Sequence, residues 1–180
     1  MDAFNECIKE EGNIQWGLAH HPYSYPMTWP KFWELTGEAG EMVQESEDTS
    51  MVTIYNIDVV TNYLQKDEYL MPDGEVRSVI LSEMGFTSTY GEDVQAAAFA
   101  YAYYIAENNQ HIDSMLLSRE TDDAGEVAQG LALGLSYQNG RRKYIYDTFK
   151  YIDTDEKDAY TEFAKNYIGI KDWEEVIIQQ

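Results

Sequence analysis

Val76-Arg77-Ser78-Val79-Ile80-Leu81-Ser82-Glu83-Met84-Gly85-Phe86 decides how the chain is read. Its apolar centre, Val79-Ile80-Leu81, lies between the turn Pro72-Asp73-Gly74 and Gly85. A short apolar run with such borders predicts a buried strand, and strands of a parallel sheet lose polar alternation because both faces are covered. Glu83 follows the run directly. A carboxylate at the rim of a core needs a reason, because a buried unpaired charge is costly.

Two further stretches have the same character. Ile14-Gln15-Trp16-Gly17-Leu18-Ala19-His20-His21-Pro22-Tyr23 is short, largely apolar and stopped by proline. Ile112-Asp113-Ser114-Met115-Leu116-Leu117-Ser118 is the third predicted strand. Met51 to Tyr55 is a candidate fourth, and Asn56 is placed to cap a helix in which Ile57, Val60 and Leu64 share a face. Glu92 to Asn108 predicts a strong helix rich in Ala and Tyr, and another begins near Ile145. Residues 2–11 place Ala3, Phe4, Cys7 and Ile8 on one helical face, ended by Gly12-Asn13. Glu156 to Tyr167 and Trp173 to Ile178 read as terminal helices. Alternating strands and helices predict an α/β fold with a parallel sheet. The long irregular stretch 24–50 carries Pro26, Pro30, Gly37 and Gly40, and such loops tend to be functional or mobile.

Functional side chains of parallel α/β proteins gather at the C-terminal ends of strands. The first predicted strand ends in His20, His21 and Tyr23, the second in Glu83, and the third in Arg119, Glu120 and Asp122. For Glu83 the plain alternative is a structural ion pair with Arg119 or Arg77. The functional one is a glycosidase carboxylate, which attacks an anomeric carbon or activates water while a second carboxyl group protonates the leaving oxygen. His21 is preferred to His20 as a ligand contact, because the loop begins right after it. Arg119 is an electrostatic partner that would keep Glu83 ionised. Trp29 and Trp33 are either sugar platforms or packing residues.

Composition narrows the partners. The 33 acidic and 12 basic residues give a formal net charge of −21. Nucleic acid and anionic membrane are therefore not expected, because both need clustered cations. The densest acidic patch runs from Glu41 to Asp48. Cys7 is the single cysteine, so no internal disulfide can form. No zinc spacing, phosphate loop or dinucleotide fingerprint occurs, and neither a metal nor a cofactor is expected. The N-terminus reads as a helix rather than as a signal peptide. An extracellular location would follow only from a secreted parent glycosidase. With 180 residues the chain is short of the about 250 that a complete (β/α)8 barrel uses.

The runs Trp16 to Tyr23, Val79 to Phe86 and Ala96 to Tyr104 resemble the C-terminal half of a family of glycoside-hydrolase-like TIM barrels. That family is a domain of unknown function, similar in layout to the clan A glycoside hydrolases. The resemblance covers nearly all of residues 2–150 and implies barrel strands five to eight near 14–20, 51–55, 76–82 and 112–118. In that clan the nucleophile is a Glu at the end of the seventh strand, followed by a Gly-aromatic pair. Glu83, with Gly85-Phe86 behind it, takes that place. The clan's acid/base Glu belongs to strand four, and the resemblance has this chain begin in the helix after that strand. At the eighth-strand end the family often shows histidines around an Arg, whereas this chain reads Ser118-Arg119-Glu120-Thr121-Asp122.

The expectation is therefore a partial (β/α) barrel, equivalent to strands five to eight of a TIM barrel, with extra C-terminal helices in a single domain over 1–180. It would act as a retaining glycoside hydrolase module on a poly- or oligosaccharide, incomplete in this chain. Glu83 is the catalytic candidate; His21, Tyr23, Trp29, Arg119, Glu120 and Asp122 are the substrate contacts. The alternative is a non-catalytic carbohydrate-binding or structural barrel remnant. The discriminating feature is a second carboxylate about 5–5.5 Å from Glu83, for which Glu120 and Asp122 are the candidates in this chain. If neither reaches, the chain alone is expected to be inactive. A half-barrel leaves its interior open, so a homo-oligomer or a missing N-terminal half-barrel is the expected protein partner.

Overall fold

The computed structural model describes residues 1–177. Three parallel strands form one open sheet in the order β1-β2-β3, with β1 at Leu18–His20, β2 at Val79–Met84 and β3 at Ile112–Leu117. The predicted neighbours are thus parallel partners. The architecture is a mixed α/β fold, and among the described residues the sheet does not close into a barrel.

The expected strand at 51–55 does not form. Asn56 takes the hydrogen bonds that a sheet ladder would need: its Oδ1 accepts from Thr53 N at 2.8 Å, and its Nδ2 donates to Gln44 O at 2.8 Å and Met51 O at 3.1 Å. Thr53 Oγ1 also accepts from Tyr55 N at 3.2 Å. These local side-chain bonds offer the backbone an alternative to a ladder. They likewise remove Asn56 from the capping position predicted for it, since the next helix, α3 at Asp58–Tyr63, has no side-chain cap. The four-strand expectation is corrected to three, and β1 pairs directly with β2.

Helices cover one face of the sheet. The first, α1, spans Asp2–Glu10, and α2 spans Glu38–Met42. The central helix, α4, spans Glu92–Glu107. It is buried along nearly its whole length, and its alanines Ala96, Ala97, Ala98, Ala100 and Ala102 let neighbours approach closely. Gly91 precedes it at φ 124°, a backbone angle that glycine tolerates best, and Glu92 and Asp93 complement the helix dipole in the first turn. The fully buried Val79, Leu81 and Met84 of β2, with Phe86 just beyond it, form the core together with α4. Each such side chain stabilises the fold by roughly 1.5–3 kcal/mol.

A short helix, α5 (Ala124–Val127), follows β3, and α6 (Ile145–Tyr151), α7 (Lys157–Thr161) and α8 (Ala164–Ile168) complete the helical layer. Both α6 and α8 pack on α4. The single helix expected over 156–167 is divided in two, where Thr161 Oγ1 bonds back to Lys157 O at 3.0 Å. The last predicted helix is a 3-10 turn at Trp173–Glu175, and Ile178 lies outside the described residues. Trp173 stacks on Tyr104 at 3.9 Å, which fastens this segment to α4.

The other face of the sheet is open. Strand register places Ala19, Ile80 and Ser114 side by side on it, and Leu116 lies two residues further along β3 on the same face. Ile80 is 39% exposed and Leu116 47%.

Candidate functional site

The site begins with an irregularity in β2. Leu81 pairs with Met115 and Met84 pairs with Leu117, so two residues, Ser82 and Glu83, stand opposite Leu116 alone. Such a bulge bends the strand and re-aims a side chain, as bulges beside functional sites often do. Met84 thereby keeps its place in the core at 0% exposure, while Glu83 is exposed on the open side.

Tyr23, carried by the loop after β1, donates its hydroxyl to Glu83 Oε1 at 2.8 Å. Burial is the main cause that pushes the Tyr23 hydroxyl up to about 12. The Ser118 hydroxyl opposes that push, and the carboxylates of Glu83 and Glu126 add to it. The phenol therefore stays protonated, a donor to Glu83 across the neutral range.

Tyr23, Glu83, Ser118, Arg119 and Glu126 line one cleft of about 80 Å³. Arg119 lies just beyond β3, and its guanidinium grips Glu126 of α5. Its Nε donates to Glu126 Oε2 at 2.9 Å, and its NH2 group bonds Glu126 Oε1. That hydrogen-bonded pair holds the Glu126 carboxyl below its ordinary range and raises the Arg119 guanidinium. The arginine predicted as the partner of Glu83 thus pairs with Glu126, and the hydrogen bond to Glu83 comes from Tyr23. Arg77, the other proposed ion-pair partner, is buried at the opposite end of β2. There it donates to Trp16 O, Asn13 Oδ1 and Leu70 O, each at 3.3 Å, and lies over the Trp16 ring.

The remaining predicted residues lie elsewhere. His21 is exposed and does not line the cleft. His20 shares the helix-covered face with Leu81, where its Nε2 contacts Val52 O at 3.1 Å and burial lowers its pKa. Glu120 is exposed, and its carbonyl accepts from Ser136 N at 2.9 Å. Asp122 is buried, accepting from Gly134 N at 2.8 Å and from Lys143 Nζ at 2.7 Å. It ties together the loop after β3. Trp33 packs against the core. Trp29 instead meets Tyr90 edge to face at 4.9 Å, on the loops that follow β1 and β2.

Sequence reasoning did not single out Glu126 or Ser118. Ser118 was only the last residue of a strand. Glu126 is seven positions beyond Arg119, and α5 brings it back to the guanidinium. The usable signal was Asp123, whose side chain caps α5 by accepting from Gly125 N and Glu126 N. Among the described residues no group of His, Cys, Asp and Glu is arranged to hold a metal ion.

Residues 1–176 match the family of unknown function DUF5722, and the chain belongs to that family. No curated protein and no solved structure matches it.

Proposed function

We propose that this member of the DUF5722 family is a sector of a glycoside-hydrolase-like (β/α) barrel, with Glu83 as the nucleophile of a retaining reaction on a poly- or oligosaccharide. The carrying observation is the Tyr23–Glu83 hydrogen bond at the bulged end of a parallel strand. A retaining nucleophile must be aimed at the anomeric carbon, and a phenol that keeps its proton holds the Glu83 carboxylate in place by a hydrogen bond. The open face with Ala19, Ile80 and Leu116 supports a barrel interior that further strands would cover.

In the proposed chemistry a Glu83 oxygen bonds to the anomeric carbon as the glycosidic C–O bond breaks. The departing oxygen takes a proton from a carboxylic acid. Water then attacks the same carbon, gives its proton to that acid's conjugate base and releases Glu83. Glu126 is a poor choice for the acid, because Arg119 keeps it ionised. Asp122 is committed to Lys143. Glu120 is exposed and does not line the cleft, so the proposed reaction takes its acid from strands outside those described, on another segment or a second chain.

Replacing Glu83 with Gln preserves shape and removes the nucleophile. In an assembly with all its strands, turnover should fall by several orders of magnitude with binding largely kept. Near-normal turnover would refute the assignment. One observation favours the non-catalytic reading for the chain alone: the cleft encloses about 80 Å³, against the roughly 300–1,000 Å³ usual for ligand sites. The chain by itself is then expected to hydrolyse no glycoside.

A further inference from the structure

The rings of Trp29 and Tyr90 meet at 4.9 Å with 80° between their planes. The two residues stand on different loops, one following β1 and the other following Glu83. Tyr90 is 54% exposed, an unusual state for a large aromatic side chain with an aromatic neighbour. The packing alternative is filled by other residues. Phe32 and Trp33 of the same loop meet Tyr101 of α4, at 4.9 and 5.7 Å, and join the core. Trp29 and Tyr90 remain outside that cluster.

The loops are held firmly at this end of the sheet. Thr87 Oγ1 donates to Gly130 O at 2.7 Å, and Ser88 N donates to Ala132 O at 3.1 Å. Gly130 faces Thr28, whose methyl group lies 3.4 Å from where a Gly130 Cβ would stand. The loops after β2 and β3 are therefore tied by hydrogen bonds, and the loop after β1 passes Gly130 at Thr28, next to Trp29. An aromatic pair on the loops at the same end of the sheet as the cleft offers contact area that the small cleft lacks.

We infer that Trp29 and Tyr90 form a stacking subsite for an uncharged sugar ring, a reading that rests on the carbohydrate assignment above and names the class of saccharide. An aromatic face takes the C–H face of a pyranose without needing charge. Charge works against an acidic sugar. Lys31, 6.0 Å from the Trp29 ring, is already paired with Glu34 at 3.0 Å, and the chain's net charge is −21. A uronate would meet the repulsion of the net negative chain, and the cation seen beside Trp29, Lys31, already has Glu34 as its partner.

Calorimetric titration of the full chain tests this, with hexamers of glucose, xylose and mannose and with hexagalacturonate as probes. At least one neutral hexamer should bind and hexagalacturonate should not. Trp29→Ala and Tyr90→Ala should each weaken binding at least tenfold, while Tyr90→Phe keeps it and all variants melt as the parent does. Glu83→Gln should bind as the parent does. Absence of binding by every neutral hexamer, preference for the uronate, or unchanged affinity in both alanine variants would overturn the subsite. Should an alanine variant unfold, protection of Tyr90 from iodination by the bound hexamer replaces it, and lack of protection overturns the subsite equally. Affinity lost in Glu83→Gln but kept in both alanine variants would move the sugar to the cleft and leave the nucleophile reading standing. Platform binding by the chain, together with full turnover of Glu83→Gln in an assembly with all its strands, would do the reverse.

Discussion

Tyr23 hydroxyl and Glu83 Oε1 lie 2.8 Å apart, although sixty residues separate them in the chain. The contact exists because β1 and β2 are direct parallel neighbours and because the bulge at Ser82–Glu83 turns the carboxylate toward the loop that follows β1. A phenol–carboxylate hydrogen bond is charge-assisted, and such bonds contribute about 1.5–3 kcal/mol. In a complete catalytic assembly, Tyr23→Phe should lower kcat roughly 10- to 100-fold with little change in KM. Unchanged kcat would show that the phenol does not position the nucleophile.

The same tyrosine makes an alkaline prediction. Its folded-state value of about 12 lies above the ordinary value of 10.0. The folded protein therefore holds this proton more tightly. The associated stability is fully present below pH 10 and is lost as the pH rises through about 12. Between those limits the melting temperature of Tyr23→Phe should fall less steeply than that of the parent, as read by thermal denaturation at closely spaced pH values. Equal slopes would contradict it.

Lys143 and Asp122 form a buried pair at 2.7 Å, with side-chain exposures of 0% and 4%. Lys143 Nζ also donates to Ala132 O at 2.9 Å. Removing one partner strands the other charge, so Lys143→Met should cost about 3–5 kcal/mol in urea denaturation. A loss below about 1 kcal/mol would mean that water reaches the pair.

Gly134 passes so close to its neighbours that an added Cβ would lie 2.7 Å from the Thr121 carbonyl carbon and 2.8 Å from Ser136 O. These are backbone atoms and cannot swing aside. Gly134→Ala should destabilise the chain by more than about 2 kcal/mol, by the cost of overpacking. The Gly140 Cβ position meets no atom within 4 Å. Because its φ is 82°, Gly140→Asn is the appropriate surface control.

The open face predicts association. Leu116→Asp should change the stability of the monomer by less than about 0.5 kcal/mol, because the side chain is already 47% exposed. In sedimentation experiments the parent chain should show concentration-dependent self-association and the variant should not. A parent that stays monomeric at high concentration would favour a different chain as the cover of the open face.

Much of this fold was legible from local pattern. Val79-Ile80-Leu81, Leu18 and Ile112 to Leu117 announced strands by apolar runs between breakers, and the Ala-rich stretch from Glu92 announced α4. Met51 to Tyr55 misled, because the hydrogen bonds of Asn56 to Gln44, Met51 and Thr53 depend on a partner twelve residues away and leave no trace in periodicity. The rule of strand ends brought Tyr23, Glu83 and Arg119 to one cleft. It could not say that Arg119 would turn to Glu126, or that Asp122 would be buried against Lys143, since both pairings depend on how the loop after β3 folds back.

In the proposed reaction Glu83 becomes bonded to sugar. A mechanism-based 2-deoxy-2-fluoroglycosyl fluoride should trap that bond in an assembly with all its strands, because the fluorine slows hydrolysis of the intermediate more than its formation. Peptide mass spectrometry reads the result. A mass gain of one fluoroglycosyl unit is expected on the peptide that holds Glu83, and none in Glu83→Gln. An active assembly that gives no adduct, or an adduct on Glu126 or any other carboxylate, would contradict it.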